Sequence, residues 1–184
     1  KLDTSKAEKQ REKLRQAVEG TQYIYNCHGV EMNLRYTSSA IIPDGSPAEE
    51  FKRDQELYHQ ASSRPGANIP HAWLIDRQQQ KISTVDICGK GKFTLITGLG
   101  AVKQWASALA EIEKAQGLSV VLRVIGPGQE YEDVYGDFAR LRDISETGAL
   151  LVRPDNIVAW RAQAASEKSS KDLLTATQKI LGKG

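Results

Sequence analysis

The sequence predicts an α/β fold in which a central mixed β-sheet is flanked by helices and is preceded by a helix and an extended arm. Short apolar runs typical of strands alternate with helical periodicity after residue 71. Residues 118–125 form a nearly continuous apolar run, which favours a strand covered on both faces. Hydrophobic residues make up 40% of the chain and charged residues 26%, which are the proportions of a globular protein with one core.

The first segment favours a helix that has little to pack against. Residues 6–19 are rich in helix formers, with Ser5 as the expected N-cap, but their only large apolar side chains are Leu14 and Val18. Such a polar helix is not stable by itself, so we expect its packing partner in a domain that precedes it. Since residue 1 is a lysine and the only methionine is Met32, we expect the chain to be a piece of a longer protein.

The next segment lacks regular patterning. Residues 22–36 mix aromatic and polar side chains, and turn signals follow at residues 43–47 and 64–66. We interpret this stretch as an extended connector. The expected domains are therefore residues 1–63, the end of a preceding domain with its connecting arm, and residues 64–184, a compact α/β domain.

The pattern after residue 71 predicts most of the regular structure. In order, it indicates a hairpin, a strand, a helix, a buried strand, a helix, a second hairpin and a closing helix. Pro154 and Asn156 suit the turn of the second hairpin, because asparagine tolerates a left-handed backbone. The order β-α-β, helix, β-β-α is the thioredoxin-like topology. The expected strands are 72–75 and 82–87 in the first hairpin, 93–97, 118–125, and 149–152 and 157–160 in the second hairpin. The expected helices are 101–116, 131–142 and 166–181, and in the second of these Val134 and Phe138 should face inward.

Charge and composition exclude several classes of partner. The formal net charge of +2 comes from 25 basic and 23 acidic residues, too balanced for a nucleic-acid or anionic-membrane surface. No apolar run approaches the length of a membrane span, and no signal peptide is visible, so a cytoplasmic location is expected. Cys27 and Cys88 form no CxxC pair or zinc-ligand cluster, and the histidines show no metal-ligand spacing, so we expect buried thiols and no metal.

Three stretches are more specific than any periodicity. Residues 64–74 read RPGANIPHAWL, residues 82–86 run on to the strand at 93–98, and residues 148–161 read GALLVRPDNIVAWR. In this order they resemble the C-terminal domain of FAD-dependent aromatic-ring hydroxylases of the phenol hydroxylase and chlorophenol monooxygenase type. Residues 28–40 resemble the connection from the FAD domain in that family. Asn156 departs from the pattern, because many members carry glycine there.

The resemblance implies a monooxygenase that hydroxylates an aromatic ring with FAD, NAD(P)H and O2, in which this domain is a non-catalytic accessory. We therefore expect no catalytic residue and no cofactor-binding residue in the chain. Gly98 and Gly100 stand between a strand and a helix, but Lys103 occupies the third glycine position of a dinucleotide fingerprint. Residues 98–103 also contain no cysteine where a thioredoxin-like redox enzyme would have one.

The expected partners are the FAD/substrate domain of the parent enzyme and a second copy of the chain. If the two strands of the first hairpin pair, Arg64, Trp73 and Asp86 are expected near His71 in a polar cluster suited to docking. For the second hairpin, a local ion-pair network and an interface remain open alternatives. A stand-alone thioredoxin-like binding module without redox activity is the alternative function. The candidate interface residues are Arg64, His71, Trp73, Arg153, Asp155, Trp160 and Arg161.

Overall fold

A computed structural model describes residues 4–183 of the protein. By their contacts, the described residues divide into two compact units, one of residues 4–34 with 49–60 and the other of residues 35–48 with 61–183. The outer ends of the two expected domains, residues 1–3 and residue 184, lie outside the described residues. The domain boundary after residue 63 stays a prediction.

The first unit contains three helices: α1 (Ser5–Gly20), α2 (Gln22–Tyr25) and α3 (His28–Met32). The predicted first helix is confirmed, although its N-cap is Thr4, whose hydroxyl accepts the amide hydrogen of Ala7 at 3.2 Å. The prediction that residues 22–36 are extended was wrong at α2 and α3. Short helices gain little from their own sequence, and here α3 is held by a segment distant in sequence: the Gly29 amide donates to the Glu56 carbonyl at 3.0 Å.

The second unit contains the remaining elements, and a 3₁₀ turn (Leu99–Ala101) precedes its longest helix. These elements are β1 (Trp73–Asp76), β2 (Lys81–Ser83), α4 (Thr84–Ile87), β3 (Phe93–Thr97), α5 (Val102–Gln116), β4 (Val120–Val124), β5 (Tyr131–Glu132), α6 (Asp137–Leu141), β6 (Ala149–Val152), β7 (Val158–Ala162) and α7 (Ser169–Ile180).

The strands form two sheets. The larger sheet has the order β4-β3-β6-β7, with β3 parallel to β4 and antiparallel to β6, and β6 antiparallel to β7. Helix α5 is the crossover that a parallel pair requires. The smaller sheet, β2-β1-β5, is antiparallel. The predicted mixed α/β architecture is confirmed.

Side chains on the two faces of the larger sheet belong to separate cores. On β3, Leu95 packs with Trp105 and Leu173 of the two long helices, whereas Ile96 packs with Phe138 and the smaller sheet. Successive residues of a strand point to opposite faces, so one strand contributes to both cores. All five of these side chains are almost fully buried.

Two predicted strands differ from the structure. The second strand of the first hairpin ends at Ser83, because Ser83 and Asp86 form a capping box that starts α4. In this box the Asp86 amide donates to Ser83 Oγ at 3.2 Å, and the Ser83 amide donates to Asp86 Oδ2 at 3.1 Å. The apolar run at 118–125 is not covered on both faces. Its strand, β4, is an edge of the sheet and is half-buried along its whole length.

The predicted helix over residues 131–142 was also wrong in its first half. Tyr131 begins β5 and pairs with Asp76 of β1, and Gly136 has φ +66°, a conformation that does not continue a helix. Only α6 remains helical. Phe138 is buried as expected, whereas Val134 is exposed.

Candidate functional site

The candidate interface residues of the second unit lie in separate places. The first group is on β1 and the segment before it, where the ring of His71 meets the Trp73 ring edge to face at 4.8 Å between centroids. Lys81 of β2 places its Nζ 4.2 Å from the Trp73 ring centroid, a cation–π contact. Trp73 is 40% exposed, so this group presents an aromatic surface bordered by positive charge.

Arg64 does not join this group. Its guanidinium donates to the backbone carbonyl of Pro47. The hydrogen bonds from Ser83 lower the pKa of Asp86, and His71 makes a smaller contribution to that shift. The sequence therefore predicted the neighbourhood of His71, Trp73 and Asp86, but not the partner of Arg64.

The second group is at the tip of the β6–β7 hairpin. Arg153 Nη2 lies 2.7 Å from Asp155 Oδ2, which is one of the local ion pairs considered for this hairpin. Asn156 has φ +67°, which confirms the left-handed turn residue. Beside this pair lies an open cavity of about 410 Å³, lined in part by Tyr36 and Ser38.

Trp160 and Arg161 are buried inside the second unit. The ring of Trp160 packs edge to face on Trp105 at 6.0 Å between centroids. Arg161 does not pair with the hairpin acids. Its guanidinium donates to Asp44 Oδ2 at 2.7 Å from Nε and to Asp143 Oδ2 at 2.9 Å from Nη1.

Asp44 is a partner that the sequence did not reveal, because its position between Pro43 and Gly45 indicated only a turn. Burial by itself raises the pKa of Asp44, but hydrogen bonds from Ser46 and the charge of Arg161 outweigh it and lower the pKa. The interface role of the seven candidates stays a prediction. Trp160 and Arg161 have little surface left for a partner.

A largely apolar cavity of about 490 Å³ lies at the carboxyl ends of the parallel strands β3 and β4. Its wall combines apolar side chains with three charged ones, Asp133, Arg142 and Glu146. Arg142 is buried and forms an ion pair with Glu146, whose side chain is 62% exposed. Sequence reasoning missed this cavity because its residues come from four separate loops and helix ends.

The two cysteines lie in different environments. Burial raises the pKa of the Cys88 thiol to about 12, and Cys27 is half-buried. Across residues 4–183, no three side chains of His, Cys, Asp or Glu are arranged to hold a metal ion. Within the same residues, no helix combines the length and apolar character needed to cross a bilayer.

The family model of the aromatic-ring hydroxylase C-terminal domain matches residues 62–184. The chain belongs to this family. The match includes the whole four-stranded sheet of this aromatic-ring hydroxylase C-terminal domain. It begins close to Ser63, whose hydroxyl donates to the Arg142 carbonyl at 2.6 Å. The family predicted from the three sequence stretches is confirmed.

Curated relatives of this aromatic-ring hydroxylase domain extend the match upstream. The chain is 51% identical to a 2,4-dichlorophenol 6-monooxygenase of Delftia acidovorans over 98% of its length, and 54% identical to one of Cupriavidus pinatubonensis over 96%. It is 39% identical to a phenol 2-monooxygenase of a Pseudomonas species over 89%. The chain spans only about 30% of the length of these relatives.

Solved structures show the same relationship. The flavin-dependent monooxygenase PieE, solved with FAD and substrate, superposes with a TM-score of 0.91 at 40% identity, over 99% of this chain and 31% of that protein. Aklavinone-11 hydroxylase, solved with FAD and aklavinone, superposes with a TM-score of 0.66 at 30% identity, over 81% of this chain and 26% of that protein. The architecture of this hydroxylase domain is thus that of a terminal part of larger flavoproteins.

Proposed function

We propose that the chain is a non-catalytic accessory domain of thioredoxin-like topology in a flavin-dependent monooxygenase that hydroxylates phenol-type rings with FAD, NAD(P)H and O2. Its role is to stabilise the parent enzyme by docking on the FAD/substrate domain. Supporting this, the curated relatives are aromatic monooxygenases of which the chain spans about 30%, and the similar solved structures contain FAD. The cofactors then belong to the part of the relatives that the chain does not span.

The observation that carries this proposal is a set of exposed large apolar side chains in the first unit. No residue of α1 is buried, and Leu14 and Val18, one helical turn apart, are 66% and 59% exposed. Exposed apolar surface larger than a few scattered side chains marks an interaction site. The exposed large apolar side chains within residues 5–34, here named the α1–α3 apolar surface, are Leu14, Val18, Tyr23, Ile24, Tyr25, Val30, Met32 and Leu34.

A chimera tests the docking role. This chain would replace the matching segment of the 2,4-dichlorophenol 6-monooxygenase of Cupriavidus pinatubonensis, with and without the double substitution Leu14→Gln and Val18→Gln. Because both side chains are exposed in the chain alone, its thermal midpoint should stay unchanged. In the chimera the same substitution removes buried apolar contact and should lower the free energy of unfolding by about 2–5 kcal/mol. The chimera should also retain less bound FAD.

The matched control is the double substitution Lys9→Gln and Lys13→Gln, which changes two exposed polar positions of the same helix. It should be neutral in both proteins. Equal loss of stability in the chain alone and in the chimera would contradict docking, because the effect would then be internal to this unit.

The cofactor part of the proposal has its own test. The isolated chain, mixed with FAD, NADPH and 2,4-dichlorophenol, should retain no flavin after gel filtration and should oxidise no NADPH in response to the phenol. The active chimera is the positive control. Turnover by the isolated chain would overturn the accessory role.

We also propose that the domain contributes to a homodimer. The exposed group of Trp73 with His71 and Lys81, and the Arg153–Asp155 pair, supply aromatic and charged surface of the kind enriched at interfaces. Sedimentation equilibrium of the chimera should give a dimer that Trp73→Ala weakens. A monomeric chimera, or a dimer indifferent to this substitution and to Arg153→Ala, would remove this part of the proposal.

A further inference from the structure

The apolar cavity of the second unit has the size and wall of a small-molecule site. Its volume of about 490 Å³ is within the range of ligand pockets, about 300–1,000 Å³. It opens at the carboxyl ends of β3 and β4, the edge at which α/β sheets bind ligands. The apolar part of the wall is formed by Leu99, Ile125, Pro127 and Phe138.

Two polar side chains in this wall have an atom without a partner. Arg142, whose side chain is only 8% exposed, uses Nη2 to pair with Glu146, but its Nε has no hydrogen-bond partner among the described residues. Asp133 accepts the Ala139 amide at Oδ2 across 2.8 Å, whereas its buried Oδ1 accepts nothing that the structure describes. Buried polar atoms are rarely left unpaired, because each costs about 1–3 kcal/mol.

The missing partners differ in kind. Arg142 Nε offers a donor and Asp133 Oδ1 needs one, and a hydroxyl group is the chemical group that can both accept and donate. Both atoms are shielded from solvent, so a ligand reaches them only after the Arg142 guanidinium turns toward the cavity, and the 62% exposure of its partner Glu146 keeps the cost of that turn low. A carboxylate ligand is disfavoured, since two carboxylates and one guanidinium already stand in the wall.

We propose that this cavity binds a small uncharged molecule with an apolar body, such as a single ring, and one hydroxyl group. Leu99 and Phe138 contact the apolar body, and Arg142 and Asp133 hold the hydroxyl. The site is independent of the docking role proposed above, because all of its lining residues belong to the second unit, whereas the α1–α3 apolar surface belongs to the first.

Three probes of similar size test the chemistry on the isolated 184-residue chain by ¹H–¹⁵N NMR titration. Benzyl alcohol should bind with a Kd of about 1 mM and shift the amides of Gly100, Gly136 and Ala139. Ethylbenzene matches its shape without the hydroxyl, and benzoate carries a charge. Both should bind about fivefold to tenfold more weakly, even though ethylbenzene is the more apolar molecule.

Two variants locate the site. Ala139→Phe fills the mouth of the cavity from an exposed position and should abolish binding, whereas Ala110→Phe, at an exposed position of α5 outside the cavity, should leave it unchanged. Arg142→Lys keeps a positive charge for Glu146 but loses the Nε donor. It should erase the preference for benzyl alcohol over ethylbenzene.

Each alternative outcome overturns a stated part of the proposal. Absence of binding by benzyl alcohol at several times the expected Kd, or binding that survives Ala139→Phe in a folded variant, removes the site. Ethylbenzene or benzoate binding as tightly as the alcohol removes the hydroxyl assignment. These titrations use the isolated chain and not the chimera, so their failure would leave the docking proposal unaffected.

Discussion

Arg161 Nε donates to Asp44 Oδ2 across 2.7 Å and so joins the last strand of the sheet to a segment 117 residues earlier in the chain. The Arg161 side chain is almost fully buried, and its Nη1 donates to Asp143 and Ser63. A buried guanidinium keeps its charge, so it needs these acceptors. This ion pair therefore secures residues 41–47 to the sheet of the second unit.

Removal of the guanidinium should be strongly destabilising. Arg161→Met leaves the Asp44 carboxylate buried without its cation and should cost about 3–5 kcal/mol in urea unfolding. Asp44→Asn should cost less, about 1–3 kcal/mol, because Arg161 retains Asp143 and Ser63. The double variant should be much less destabilised than the sum of the two, and strict additivity would contradict the pairing.

The Asp44–Arg161 pair should make the folding stability of the chain depend on pH. Since the pKa of folded Asp44 is lowered relative to the unfolded chain, its contribution to stability is present above the ordinary aspartate pKa of about 3.9 and is lost as pH falls through the lower folded value. Urea midpoints measured from about pH 6 to pH 3 should fall more steeply in the native sequence than in Asp44→Asn. Parallel profiles would show that Asp44 carries no such shift.

The turn residue Asn156 is expected to tolerate glycine better than alanine. Its φ of +67° penalises a β-carbon without a compensating polar group, so Asn156→Ala should cost about 1–2 kcal/mol. Asn156→Gly should cost clearly less, because glycine adopts this conformation freely and the Asn156 Oδ1 atom makes no hydrogen bond among the described residues. Thermal midpoints of the two variants compare them directly.

Gly29 is required by a close approach inside the first unit. A β-carbon there would lie 2.0 Å from the Gln55 carbonyl oxygen, so Gly29→Ala should separate residues 49–60 from α3. Limited proteolysis should then cut within residues 49–60 faster than in the native sequence. Gly20→Ala is the matched control, since its β-carbon would meet no atom within 4 Å. Equal cleavage of both variants would contradict the packing.

The two thiols should differ in reactivity. Burial raises the pKa of Cys88 to about 12, so only about one molecule in 10⁴ carries its thiolate at pH 8. Ellman's reagent should modify Cys27 in the folded chain and Cys88 only after unfolding. The Cys27→Ser variant should therefore show no rapid reaction, and a rapid second thiol would contradict the burial of Cys88.

Local pattern was sufficient for much of the α/β fold. The strands at residues 93–97 and 149–152 and the long helix before Gly117 follow from periodicity and from the left-handed cap that Gly117 supplies at φ +70°. The errors at α3, α4 and β5 share a cause. Each is a short element stabilised by a cap or by a partner segment that periodicity does not detect.

By itself, the sequence determined the family, the order of the main strands and helices, and the polar character of α1, because each depends on residues that are close together in the chain. Tertiary structure decided the partners of the charged groups. The pairing of Arg161 with Asp44 and the cavity beside Arg142 bring together residues from distant segments. The sequence gives the type of each side chain, but the burial of that side chain and its charged partner are determined only when the chain folds.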